Sequence, residues 1–222
     1  MPVNDNAPLQ ITAFKWVPDF AQGFVRDLRP RWACEEIGLD YAERLLDLER
    51  PDSYFGEQPW GQVPVVNDSG ICLFESGAIL LHIAERDARL MSNDPQRRAQ
   101  TISWLFAAYN SVEPLFFELG NVEIFAKGEQ WAELRKPSLM EFLGQRLDRL
   151  SDALGDKPYL VGDFSVADIA MATVLREAGD TDLLSSRPRL AAYVERCIAR
   201  PAFGRAIAAQ LAAFKENEPV AA

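Results

Sequence analysis

The spacing of apolar residues changes character between residues 87 and 96. Upstream, short β-rich runs alternate with helical stretches; downstream, every periodic segment has helical spacing. The first part predicts a strand over residues 11–16, a proline-containing loop over 17–20, and a helix that runs to Ile37 and ends at Gly38, a residue suited to a helix C-terminus. Pro30 falls inside that helix and predicts a kink or a break. A second strand is expected over 42–48, then an irregular loop rich in proline, glycine and aromatics over 50–61. Strands over 62–67 and 71–74 follow, joined by a turn at Asn67-Asp68-Ser69-Gly70, and a helix runs from Ser76 to about Arg86. The order is βαβ and then ββα.

The polar stretch around Ser92-Asn93-Asp94-Pro95 reads as a linker, placed at 88–94 between a domain of residues 1–87 and an all-helical domain of residues 95–222. Asn93 or Asp94 can cap the next helix, with Pro95 in its first turn. Helices are expected over 96–119, bent at Pro114, and over 130–154, with a boundary or kink at Pro137. Three more are expected over 165–178, 190–199 and 202–214, with the last residues frayed. Ser165-Val166-Ala167-Asp168 has the form of a capping box with Asp in place of Glu. Cap chemistry explains both polar residues, so helix nucleation is preferred to a catalytic role for Asp168.

Composition narrows the class. The 222 residues are 48% hydrophobic and 25% charged, as in a globular protein able to bury a sizeable core. A net charge of −10 argues against general nucleic-acid or anionic-membrane binding. No apolar run is long enough to span a membrane, and residues 1–10 hold no apolar signal-peptide core, so a cytoplasmic protein is expected. Cys34, Cys72 and Cys197 are scattered and fit thiols in a reducing compartment. The single histidine, His82, lies in an apolar helical run and reads as packing; no metal spacing is present, and no metal is expected.

Two short segments carry candidate chemistry. In Gln62-Val63-Pro64-Val65-Val66 the proline has no N–H for a strand ladder, so it belongs at a strand start or edge, and its peptide bond is a candidate for cis. In Phe74-Glu75-Ser76-Gly77 a strand turns into a helix, whose start offers unpaired N–H groups and a partial positive charge suited to a carboxylate. Together they outline a site for a small, extended, peptide-like anion.

On these residues, and on Trp32-Ala33-Cys34-Glu35-Glu36-Ile37-Gly38-Leu39-Asp40-Tyr41, Phe164-Ser165-Val166-Ala167-Asp168-Ile169-Ala170 and Arg200-Pro201-Ala202-Phe203, the chain resembles the cytosolic glutathione S-transferases. The resemblance spans nearly the whole length. It implies an α+β thioredoxin-like domain followed by an all-α domain, a homodimer, and glutathione as co-substrate. By position, it implies that Gln62, Val63 and Pro64 form the edge that bonds the cysteinyl backbone of glutathione in strand-like fashion. Glu75 then pairs with the γ-glutamyl ammonium, and Ser76 receives the γ-glutamyl carboxylate. The activity implied is attack of the glutathione thiolate on an apolar small-molecule electrophile; the alternative is a non-enzymatic binding or interaction module of the same fold.

The family's thiol-activating Tyr, Ser or Cys is missing from Lys15-Trp16-Val17-Pro18-Asp19-Phe20-Ala21-Gln22-Gly23-Phe24. Three substitutes stay open: backbone N–H groups at the helix start, the Gln22 amide, or positive charge from Lys15, Arg26 or Arg29. Gln22 is the catalytic candidate, against a plain surface role. Trp16, Phe20 and Phe24 either wall the electrophile pocket or pack the two domains together; Tyr109, Asn110 and Phe116 from the first long helix of the second domain are further pocket candidates, some of which helical spacing assigns to the core instead. Tyr54, Phe55 and Trp60 in the irregular loop can supply an aromatic contact to a partner subunit, or cover the sheet edge.

Overall fold

A computed structural model describes residues 3–179 and 181–219. Strands β1 (Leu9–Phe14), β2 (Ala42–Leu46), β3 (Val66–Asp68) and β4 (Ile71–Leu73) form one sheet in the order β2-β1-β3-β4. β1 pairs parallel with β2, as the helix between them requires, and antiparallel with β3; β3 pairs antiparallel with β4. Ser69 and Gly70 join β3 to β4 with φ of 53° and 91°, the two left-handed positions of a tight hairpin. Helices α1 (Leu28–Ile37) and α2 (Ser76–Ala84) complete this βαβ and ββα arrangement. The rest of the chain is helical: α3 (Pro95–Ala107), α4 (Glu113–Gly120), α5 (Gln130–Leu154), α6 (Val166–Leu175), α7 (Asp182–Ser185), α8 (Pro188–Ile198) and α9 (Pro201–Glu216).

Several boundaries differ from expectation, each for a local reason. α1 starts at Leu28, not after residue 20, so Pro30 sits in the first turn, where its missing N–H has no intrahelical partner to lose. The expected kink is absent for that reason. At the other end Gly38 adopts φ 69° and donates to the Cys34 carbonyl, the expected stop. The strand expected at 62–67 begins only at Val66, because Pro64 lacks a ladder donor. The long helix expected to bend at Pro114 instead widens into a π-helical turn over Ala108–Val112, immediately before the proline, and a second π turn spans Asn121–Phe125. α5 runs through Pro137 without a boundary. The short α7 went unforeseen in the pattern, and residues 220–222, expected to fray, lie outside the described residues.

Backbone packing divides the chain into two compact units. One runs to Met91 and takes in Ile198 onward; the other is Ser92–Cys197. The last helix, expected in the all-helical domain, therefore packs in the first unit, along α1. Trp32 of α1 meets Phe203 of α9 edge-on at 4.9 Å, and Arg200 holds Glu36 through two bonds of 2.6 and 2.7 Å. The second unit is built on α6, all of whose residues are buried. Asp94 caps α3, accepting from the Arg97 N–H at 2.8 Å, with Pro95 in the first turn as expected.

Candidate functional site

The Val63–Pro64 peptide bond is cis. The segment around it is fixed from the irregular loop before it, whose Asp52–Gly56 part forms a short 3-10 turn. Tyr54 is fully buried and its hydroxyl donates to the Gln62 carbonyl at 2.7 Å. Burial pushes the Tyr54 phenol up to about 12, so it stays a neutral donor at physiological pH. The buried Gln58 side chain accepts from the Trp60 and Gln62 N–H groups at 2.6 and 3.2 Å, and Arg50 donates to the Gly61 carbonyl at 2.6 Å. Gly61 has φ 65°, and a Cβ there would meet the Phe55 ring at 2.8 Å, so glycine is favoured at this position. Beyond the proline, the Val65 carbonyl accepts from the Thr12 N–H at 2.8 Å, which ties the edge to β1. Tyr54, Val63 and Val65 form one small apolar core with Phe14, Val25 and Leu46 against it.

The second half of the site is the start of α2. Glu75, at the N-cap, is exposed, makes no side-chain cap bond, and holds φ 68°, ψ 113°. A non-glycine residue at positive φ is strained, and such strain collects at binding sites. Next to it Ser76 is buried, and its hydroxyl accepts from Arg29 Nη1 at 3.0 Å. Arg29 is 2% exposed, so a guanidinium stands directly behind the expected carboxylate site. From sequence, Arg29 is offered only as a positive charge for the thiol; the structure buries it against Ser76. The signal was present: a helix containing Leu28, Trp32, Ala33 and Cys34 has no solvated face for its arginines. Arg31 is buried as well, pairing with Asp27 at 2.7 Å and with Glu43.

Along the first loop, Trp16 is half-buried and Phe20 is 57% exposed. Gln22 closes a 3-10 turn over Asp19–Ala21; its Nε2 donates to the Val17 carbonyl at 3.2 Å and to the Asp19 carboxylate at 3.3 Å. Its amide hydrogens therefore brace its own loop. Lys15 is paired with Asp47 at 3.0 Å. In the second unit, Tyr109 is half-buried and Asn110 exposed on the first π turn, a type of helix distortion common at functional sites, whereas Phe116 is buried core. In the irregular loop Tyr54 is core, while Phe55 and Trp60 are 49% and 67% exposed.

Two residues read from sequence have structural partners. Asp168 is fully buried, and the expected capping box with Ser165 is closed. Its carboxylate accepts from the Ser165 and Leu160 N–H groups at 2.9 and 3.0 Å, and from the Ser165 and Tyr193 hydroxyls at 3.0 and 2.9 Å. Burial raises its pKa against the pull of those bonds. His82, read as packing, also makes a polar contact: its Nε2 lies 2.6 Å from Asp68, which Arg86 pairs with too, locking the hairpin to α2. Cys34 and Cys197 are buried and Cys72 is exposed. Among the described residues, no group of three or more His, Cys, Asp or Glu is placed to hold a metal, and no helix is long and apolar enough to cross a membrane.

Comparison with known proteins matches both parts of the chain. Residues 20–85 match the glutathione S-transferase N-terminal domain and residues 113–201 the glutathione S-transferase C-terminal domain. A glutathione S-transferase of Hyoscyamus muticus is 33% identical over 188 residues, covering 78% of this chain and 88% of that one. The disulfide-bond oxidoreductase YfcG of Escherichia coli is 28% identical over 194 residues, covering 78% and 86%. The fold matches a glutathione transferase of Burkholderia graminis, solved with two glutathione molecules per subunit, with a TM-score of 0.79 at 24% identity, over 90% of this chain and 87% of that one.

Proposed function

The chain belongs to the glutathione S-transferase family, and from that premise we propose that it binds glutathione at the Val63–Pro64 edge and the α2 start and transfers it to an apolar electrophile. The observation that carries this reading is the α2 start itself. A strained, exposed acid and a hydroxyl backed by a buried guanidinium lie side by side. The γ-glutamyl end of the tripeptide has matching charges: its ammonium goes to Glu75, and its carboxylate to Ser76 with the helix dipole and Arg29 behind it. The Gln62–Val63 edge takes the cysteinyl backbone as an added strand would.

That placement points the sulfur at the first loop. The thiol is a weak nucleophile until its thiolate is stabilised, and the protein lowers the barrier by that stabilisation and by proximity. Gln22 donates to the sulfur by giving up the longer of its two bonds, the 3.3 Å contact to the exposed Asp19. Trp16 and Phe20 supply apolar surface to the electrophile. The protein works as a cytoplasmic homodimer, for which exposed Phe55 and Trp60 offer an aromatic contact. The domain joint stays within 88–94.

The test is calorimetric titration with glutathione, followed by the pH dependence of thiolate absorbance in the complex. Binding with a thiol pKa below the free value of about 8.5 is expected. Binding with an unshifted thiol favours a non-enzymatic module, and no binding at millimolar glutathione removes the reading. Gln22→Ala is expected to raise the bound thiol pKa; an unchanged value transfers the role to backbone N–H groups of the loop.

A further inference from the structure

Helix α9 carries a polar residue in the middle of its buried stripe. Ala202, Phe203, Ala206, Ala213 and Phe214 make up the rest of that stripe, and Gln210 is fully buried among them. Burying an amide is unfavourable unless it is hydrogen-bonded, so its partners show what it is for. α9 runs antiparallel along α1. Near the α9 start, Arg200 and Arg205 grip the far end of α1, at Glu36 and Glu35. About one and a half turns beyond Arg205, Gln210 reaches past the α1 start. There its Nε2 donates to the Val25 carbonyl at 3.1 Å and to Asp27 Oδ1 at 2.7 Å. The other Asp27 oxygen accepts from Arg31 Nε at 2.7 Å. Val25 and Asp27 are the last residues of the loop that carries Trp16, Phe20 and Gln22.

We infer that Gln210 is a positioning residue for the transferase reaction: from the last helix it fixes the exit of the first loop, and with it the place where the glutathione sulfur is received. The inference rests on the proposed role of that loop. Gln210 touches no substrate and acts through Val25 and Asp27. The entrance of the loop is held separately, by the Lys15 N–H on the Leu46 carbonyl at 2.8 Å. Arg200 and Arg205 hold α9 to α1 itself, whereas Gln210 holds the loop, so docking of the helix and positioning of the loop can be separated by mutation.

Gln210→Met keeps the side-chain volume and removes both donors. The expected result is a bound-thiol pKa raised by about one unit, hence about tenfold less thiolate at a pH below it. At a pH below the wild-type bound-thiol pKa, the glutathione dissociation constant is expected to stay within about twofold, because the Val63, Glu75 and Ser76 contacts are untouched. Arg205→Gln, which loosens α9 without reaching the loop, is expected to lower the melting temperature and leave the thiol pKa at the wild-type value. Gln210→Asn, with the amide on a shorter stem, decides the matter if the Met variant does not fold: it too is expected to raise the thiol pKa. A folded Gln210 variant with the wild-type thiol pKa overturns the inference, as does an equal shift in Arg205→Gln. If the wild type binds glutathione with a lowered thiol pKa in the same series, such a result leaves the transferase reading standing. If the wild type binds none, that reading falls and this inference with it.

Discussion

Two helix starts in this protein are written in similar letters and built in opposite ways. α6 opens on Ser165 and Asp168, and α2 on Glu75 and Ser76. At α6 the acid is sealed: it is fully buried and accepts from two backbone N–H groups and two hydroxyls. At α2 the acid is exposed, caps nothing, and sits at a φ of 68° that its Cβ disfavours. A polar group whose bonds are closed within the chain stabilises the fold. We read one held open under strain, beside a hydroxyl with a buried arginine behind it, as open to a ligand from outside.

Mutations should separate the two starts by what they change. Asp168→Ala has the largest expected effect. It strands several buried donors, at ~1–3 kcal/mol each before relaxation, so a loss of roughly 3 kcal/mol in unfolding free energy is expected. Denaturant titration measures it, and the folded fraction should bind glutathione with wild-type affinity; weakened binding by that fraction would erase the distinction. Glu75→Gly should do the reverse. Loss of a charge-assisted bond worth ~1.5–3 kcal/mol weakens glutathione binding roughly ten- to a hundredfold. The same change relieves backbone strain of ~1–3 kcal/mol against a glycine entropy cost of ~0.5–1, for a net stability gain of about 1 kcal/mol. A variant that loses stability, or binds normally by calorimetry, contradicts the assignment.

Ser76→Ala sharpens the picture on a smaller scale. Removing one hydroxyl that accepts from Arg29 is expected to weaken binding about fivefold, a loss of roughly 1 kcal/mol. The smallest expected effect is on pH dependence at α6. Burial raises the Asp168 pKa, so its titration favours the folded state most at pH below the ordinary Asp value of about 3.9. That contribution is lost as pH rises through the raised value. The wild type, compared with Asp168→Asn in unfolding titrations, should lose relative stability between acid pH and neutrality; an opposite slope shows that the four hydrogen bonds outweigh burial.

The fold was legible in the sequence where the signals are local. The Gly38 stop, the Asp94 cap and the Ser165–Asp168 box are all chemistry between residues close in the chain, and all three formed. Prolines were harder to read. Pro30 lies harmlessly in a first turn, Pro114 follows a π turn, and Pro137 is absorbed within a helix, because each outcome depends on where neighbouring elements pack. The site shows the same division. Val63–Pro64 and Glu75-Ser76 stand out as strings of residues, but Arg29 on Ser76, Tyr54 on Gln62 and Gln210 on Asp27 join residues 47, 8 and 183 positions apart. Sequence periodicity carries no record of which buried polar groups meet across such separations.

A crystal structure of the protein with glutathione tests the central claim most directly. The account predicts the γ-glutamyl carboxylate within hydrogen-bonding distance of Ser76, its ammonium at Glu75, and the cysteinyl backbone against Val63. A tripeptide bound with its ends reversed, or away from the α2 start, contradicts it.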